Sequence, residues 1–185
     1  MMFTLPRTLT VGGREYPIRS DYRVALTIFE ACGDPGLSPR DKALAVLCSL
    51  YKELPENTEE AYERAVWFLD GGDMPKSKPL PRRTLDWEQD AYLIFPAVNK
   101  AAGCEVREVE YLHWWSFLGL FNEIGEGLYS QVMSIRQKLA KGKKLEKWER
   151  EFYDEHRELI ELKQKLTPEE QAELAAEEKW IDSIC

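Results

Sequence analysis

Tyr111-Leu112-His113-Trp114-Trp115-Ser116-Phe117-Leu118-Gly119-Leu120-Phe121 is the most apolar stretch of the chain, and its reading decides the fold. Laid on a helix over 109–124, Leu112, Trp114, Trp115, Phe117, Leu118, Leu120, Phe121 and Ile124 cover nearly the whole circumference. A helix that is apolar all round needs neighbours on most sides, so this one belongs at the centre of a bundle. The stretch is too short, and with His113 and Ser116 too polar, to span a bilayer. Adjacent helical residues point about 100° apart, so the Trp114 and Trp115 rings are not expected to face the same neighbour. Either both lie in the core, or one packs against a second layer or a partner.

Working outward, Gly125 and Gly127 end the central helix, and a further helix over 128–140 carries Leu128, Val132, Ile135 and Leu139. Upstream, Asp86-Trp87-Glu88-Gln89 reads as a capping box opening a helix that runs to about residue 102. Trp87, Ala91, Ile94, Val98 and Ala101 share its apolar face, and Pro96 inside it predicts a kink. Three shorter helices precede it. Asp21 caps the first, with a stripe of Tyr22, Ala25, Leu26, Phe29 and Cys32. Ser38 and Pro39 open the second, with Leu44, Leu47, Cys48 and Tyr51, and Pro55 stops it. Thr58 caps the third, with Tyr62, Ala65, Val66 and Leu69, and Gly71-Gly72 stop it. At the N-terminus Gly12-Gly13 between Thr8–Val11 and the run 14–18 signals a β-hairpin whose second strand is an edge, or ends, at Pro17.

The fold class expected is mainly α: a multi-helix domain with a small N-terminal β-hairpin and a C-terminal helical arm. Residues 1–142 form the helical core, with the proline- and glycine-containing loop 71–85 between two sub-bundles. Residues 143–185 form an acidic extension, with 13 acids against 6 bases over 145–185. In it Leu145, Trp148, Phe152, Leu159, Leu162 and Leu166 follow a 3-4 spacing interrupted at Glu155, a short coiled-coil-like seam. Thr167-Pro168-Glu169-Glu170 opens a last helix carrying Leu174, Trp180, Ile181 and Ile184. The extension either projects or folds against the core.

The 185 residues carry a net charge of −8, which opposes non-specific binding to phosphate backbones. Lys138, Lys141, Lys143, Lys144 and Lys147 form a local basic cluster, read as a solvated helix end and hinge. Cys32 and Cys48 fall on apolar stripes and read as small buried hydrophobes; no cysteine pair is close in sequence, so a reducing cytoplasm and no zinc site are expected. Residues 1–9 lack the pattern of a secretory signal. No nucleophile elbow, phosphate-binding loop or dinucleotide fingerprint occurs. His113, between Leu112 and Trp114, reads as a hydrogen-bonded core residue rather than a base, and His156 as solvated. These readings lead to a non-catalytic protein without cofactor, metal, membrane or nucleic-acid partner.

Trp87-x-x-Asp90, Ile94, Glu105-Val106 and then Leu112-His113-Trp114-Trp115-x-Phe117-x-x-Leu120 resemble the bacteriophage gene-product-fifteen family of tailed phages and prophages. Asp21-Tyr22-Arg23, the run Asp41-Lys42-Ala43-Leu44 to Leu50-Tyr51, and Val132-Met133-x-Ile135-Arg136 extend the likeness over roughly 7–166. The signature residues Trp87, Asp90, His113, Trp114, Trp115 and Phe117 are expected in the core. The resemblance implies a morphogenetic role in long, non-contractile tails, acting in the cytoplasm of an infected or lysogenic bacterial host. It points to a tail assembly chaperone that holds the apolar tape-measure protein soluble until tail-tube subunits assemble. The alternative is a tail-completion or connector component retained in the virion. Partner contacts are expected at Trp148, Phe152, Leu159, Leu162 and Leu166, or at Trp180, Ile181 and Ile184, with self-association a further expectation.

Overall fold

A computed structural model describes residues 4–72, 83–167, 169, 170 and 172. The chain opens with an antiparallel hairpin of β1 (Thr8–Val11) and β2 (Arg14–Pro17), in register Val11 with Arg14 and Thr8 with Pro17. Gly12 and Gly13 both have positive φ, 57° and 77°, the geometry of a two-residue turn that follows strand twist. Pro17 stands opposite Thr8 at a position where the ladder needs no N–H from it, and the Ile18 N–H still donates to the Arg7 carbonyl at 3.0 Å. Two strands alone are marginal, and the hairpin is held on helix α3 (Thr58–Leu69) by Gly12 N–H donating to Glu60 Oε2 at 2.9 Å.

Eight helices follow among the described residues, two of them in the C-terminal extension. Helix α1 (Tyr22–Gly33) is capped by Asp21, and α2 (Pro39–Leu50) by Ser38 with Pro39 in its first turn, both as expected. The buried face of α2 is Val46, Leu47 and Leu50; Leu44 is 43% exposed, and Cys48 is exposed rather than a buried hydrophobe. Helix α3 is capped by Asn57, whose side chain accepts the Glu60 N–H, one residue before the expected Thr58. It buries Ala61, Ala65, Phe68 and Leu69 and exposes Tyr62. Both stripes turn from the expected faces toward β1 and α1, which supply the covering surface.

Helix α4 (Ala91–Ala102) begins later than the capping box predicts. Asp86 does accept the Glu88 and Gln89 N–H groups, but these close an irregular turn. Asp90, not Gln89, reaches back to the Asp86 N–H, at 3.0 Å. Its buried face is Leu93, Ile94 and Val98; Ala101 is exposed, and Pro96 lies inside the helix with its ring in solvent. The central helix α5 (Trp114–Asn122) likewise starts five residues after the expected 109. The cause is tertiary. Leu112 N–H donates to Asp21 Oδ2, Leu112 carbonyl accepts the Tyr22 N–H, and Arg23 donates to the carbonyls of Arg107 and Val109. The carbonyls of Arg107, Val109 and Leu112 and the Leu112 N–H thus tie the segment across the start of α1 in competition with a helical ladder.

Helix α6 (Leu128–Ala140) has the expected bounds. The extension then forms α7 (Lys147–Glu155), opened by a capping box of Glu146 and Glu149, and the single turn α8 (Arg157–Ile160). The break at His156 matches the interruption of the seam. These two helices do not project. Ile160 is buried with Leu93, Val132 and Ile135, and Leu145, Phe152, Tyr153 and Leu159 pack around them. Residues 161–167 run on without regular structure over the entry to α4. There Gln89 exchanges two hydrogen bonds with the backbone of Lys163, at 3.1 and 2.9 Å.

Candidate partner-binding surface

The expected signature residues come together as a scaffold. Trp114 is 1% exposed and Phe117 fully buried. Phe117 stacks on Tyr22 at 4.6 Å, and Trp87 packs against Phe29, Trp114 and Phe121 at 5.0–6.1 Å. The tryptophan pair departs from expectation. Trp114 Nε1–H donates to the Leu69 carbonyl at 2.9 Å and Trp115 Nε1–H to the Phe68 carbonyl at 2.8 Å, so both rings face one neighbour, the C-terminal end of α3. Although the two side chains diverge, α5 begins over that helix end and the long indoles straddle it. They bond carbonyls of the last turn of α3, the Phe68 carbonyl also accepting the Gly71 N–H at 3.1 Å.

His113 is 3% exposed and caps α5 through Nδ1, which accepts the Trp115 N–H at 3.0 Å. The ring proton is therefore on Nε2, which donates to the Pro6 carbonyl at 2.9 Å. Burial depresses the pKa of His113 below 6.5 against the opposing pull of that carbonyl, with Arg7 adding to the depression. The residue is a neutral structural bridge between the N-terminus and the central helix, with no substrate-facing group beside it.

Sequence reasoning missed the role of Arg136. It is 7% exposed and uses all five N–H groups. Nη1 and Nη2 grip Asp90 at 2.7 and 2.9 Å, and the remaining donors reach the carbonyls of Thr84, Leu159 and Ile160 at 2.6–3.1 Å. One guanidinium thus joins α4, α6, α8 and the segment before α4. The signal was present: Arg136 lies four residues after Val132, on the apolar stripe. Nearby, burial raises the pKa of Asp86, but the Gln89 and Glu88 N–H groups together with Lys165 and Arg83 outweigh it and hold the carboxyl below its ordinary 3.8.

The residues expected to meet a partner are divided by the fold. Phe152 and Leu159 are half-buried in the second cluster, and Leu162 and Leu166 are partly buried on the segment after α8. Trp148 is 54% exposed on α7. Trp180, Ile181 and Ile184 lie outside the described residues. One open apolar surface is not singled out by the sequence. Between α4 and the connection from α5 to α6 runs a groove of about 510 Å³ lined chiefly by Tyr92, Leu93, Pro96, Ala97, Ile124 and Leu128. Tyr92 and Leu128 are 57% and 48% exposed on its edges. Glu123 and Glu126 stand on one rim, and Lys100 donates to the Glu126 carbonyl at 3.3 Å. Its lining holds no nucleophile–base pair. Among the described residues, no group of three or more His, Cys, Asp or Glu is placed to hold a metal ion, and no helix is long and apolar enough to cross a membrane.

The family model described as Bacteriophage Gp15 protein matches residues 2–162, from the hairpin through α8. The chain belongs to that family. It is a bacteriophage protein with a structural or morphogenetic role. No curated protein and no solved structure matches it. The Gp15 match spans both walls of the groove and every element gripped by Arg136, so the whole scaffold described above lies within it.

Proposed function

We propose that this phage protein is a non-catalytic tail assembly chaperone that binds an apolar helix of the tape-measure protein in the groove between α4 and the α5–α6 connection. The observation that supports it is the groove itself: an open apolar trough on a member of a phage family, lined by aliphatic and aromatic side chains and carrying no acid–base constellation. An amphipathic helix laid in such a trough is held by anchors at i, i+3 or i+4, and i+7. Each leucine-sized side chain moved from water into it contributes about 1.5–3 kcal/mol. A few such anchors, after the cost of association, give a contact that holds a client and still releases it when tube subunits compete.

The reading requires the host cytoplasm as the place of action and a tape-measure client as partner. Its test is co-expression with the tape-measure protein, followed by fractionation and affinity capture. A chaperone brings the client into the soluble fraction as a complex and is missing from purified particles. Recovery of this chain as a stoichiometric part of purified tails would instead identify a virion component and sink the chaperone reading.

A further inference from the structure

The groove and the exposed tryptophan lie toward opposite ends of α6. Leu128 and Tyr129, in its first turn, belong to the groove, whereas Trp148 sits beside its last turn, where Lys138 holds Glu149 at 2.6 Å. Ten residues of helix separate these ends by about 15 Å. Trp148 is in solvent and does not line the groove of its own chain, so the ring and the trough are both open to a second copy.

Charge matches as well. Around Trp148 the exposed cations Lys143, Lys144, Lys147 and Arg150 outnumber the exposed carboxylates Glu146 and Glu151, the latter 3.8 Å from Lys147. The groove carries Glu123 and Glu126 on one rim. Lys100 lines the groove with them, and beyond Tyr92 a second hollow is lined by exposed Asp154, Glu155 and Glu158 together with His156 and Arg157. An indole in net positive surroundings is therefore matched to a trough in net negative surroundings.

We propose that this protein self-associates head to tail, with Trp148 of one copy seated in the α4–α6 groove of the next and its lysines against the acidic rims. The contact is heterologous, so repetition gives a closed ring or an open filament, not a two-fold dimer. It uses the surface assigned above to the client but does not depend on that client. A second copy and a client helix are competitors for one groove, and the client would have to displace the neighbouring copy.

The test is light scattering coupled to gel filtration, on the full chain alone, from low micromolar to several hundred micromolar. The weight-average mass should rise above the 21.5 kDa of one chain with concentration, and less so at high salt. Trp148→Ala, which removes the plug, and Ala97→Phe, which fills the groove, should each weaken association on the order of thirtyfold, as for a buried aromatic anchor. The decisive sample mixes the two variants. One retains a groove and the other a plug, so together they should form a heterodimer that grows no further. That product also shows that both variants fold, and circular dichroism of each alone checks it independently. A mass of one chain at every concentration overturns the proposal, as does association untouched by either variant or folded variants that do not pair. Because no tape-measure protein is present, failure here leaves the co-expression test of the chaperone reading standing.

Discussion

Arg136 and Asp90 show how much one pair of residues can fasten. Removing one partner of a buried, fully hydrogen-bonded ion pair leaves the other charge stranded. Asp90→Ala should accordingly cost about 3–5 kcal/mol in urea unfolding. Replacing both, Asp90→Leu with Arg136→Met, should cost less than the two single changes added together, because no uncompensated charge remains. His113 makes a prediction of a different kind. Its folded pKa lies below 6.5, so the unfolded chain takes up a proton that the native chain refuses. The stability it contributes is complete above that value and falls as the solution is acidified through it toward the folded pKa. Urea midpoints measured at neutral pH and near pH 5 should show that loss. His113→Asn, which keeps an N-cap acceptor without titrating, should flatten the slope over that interval. An unchanged slope would mean the ring is not held neutral by the fold.

Among the elements, the join between α3 and α5 is the one most tightly specified. Gly72 turns the chain away from α3 with φ +82°, and a Cβ there would stand 2.9 Å from the Trp115 ring. Gly72→Ala therefore meets both a left-handed backbone and a clash, and should cost more than the usual ~1 kcal/mol of a misplaced alanine, read from the thermal midpoint. Gly142→Ala, at φ +65° with open space around it, should cost less. Much of this level was legible in the sequence: the Gly-Gly hairpin, the Asp21 and Ser38 caps, the bounds of α6 and the break in the C-terminal seam. What was not legible depends on partners distant in the chain. Residues 109–112 carry a helical pattern, but the Val109 carbonyl and the Leu112 N–H and carbonyl are taken by Arg23, Asp21 and Tyr22. Gln89 has the spacing of a capping box and is diverted to Lys163. Cys48 and Leu44 sit on an apolar stripe that the hairpin and α3 leave uncovered. Pattern reads one element at a time, and these outcomes are set by which element arrives next to it.

For the molecule as a whole, the same logic explains why the groove escaped the sequence. An apolar trough is made of what the surrounding elements fail to cover, and Tyr92, Pro96 and Leu128 look like any other surface positions until α4 and α6 are seen side by side. The expected contact residues Phe152 and Leu159 take part instead in internal packing with Ile160, Val132 and Leu93. The extension is therefore part of the stability of the core. Truncation after Ala140 removes the Leu159 and Ile160 carbonyls from Arg136 along with the second apolar cluster. It should lower the thermal midpoint by well over 10 °C or abolish cooperative unfolding, since about 1 kcal/mol moves the midpoint of a domain this size by several degrees. Retention of a full cooperative transition would show that 143–167 packs too weakly to matter.

The proposed client site is the groove between α4 and the α5–α6 connection. The most direct measurement is the soluble yield of co-expressed tape-measure protein with three versions of the chain: unaltered, Ala97→Phe and Trp148→Ala. The account predicts rescue by the unaltered chain and by Trp148→Ala, whose groove is open, and loss of rescue with Ala97→Phe although it remains folded. Full rescue by folded Ala97→Phe would contradict it.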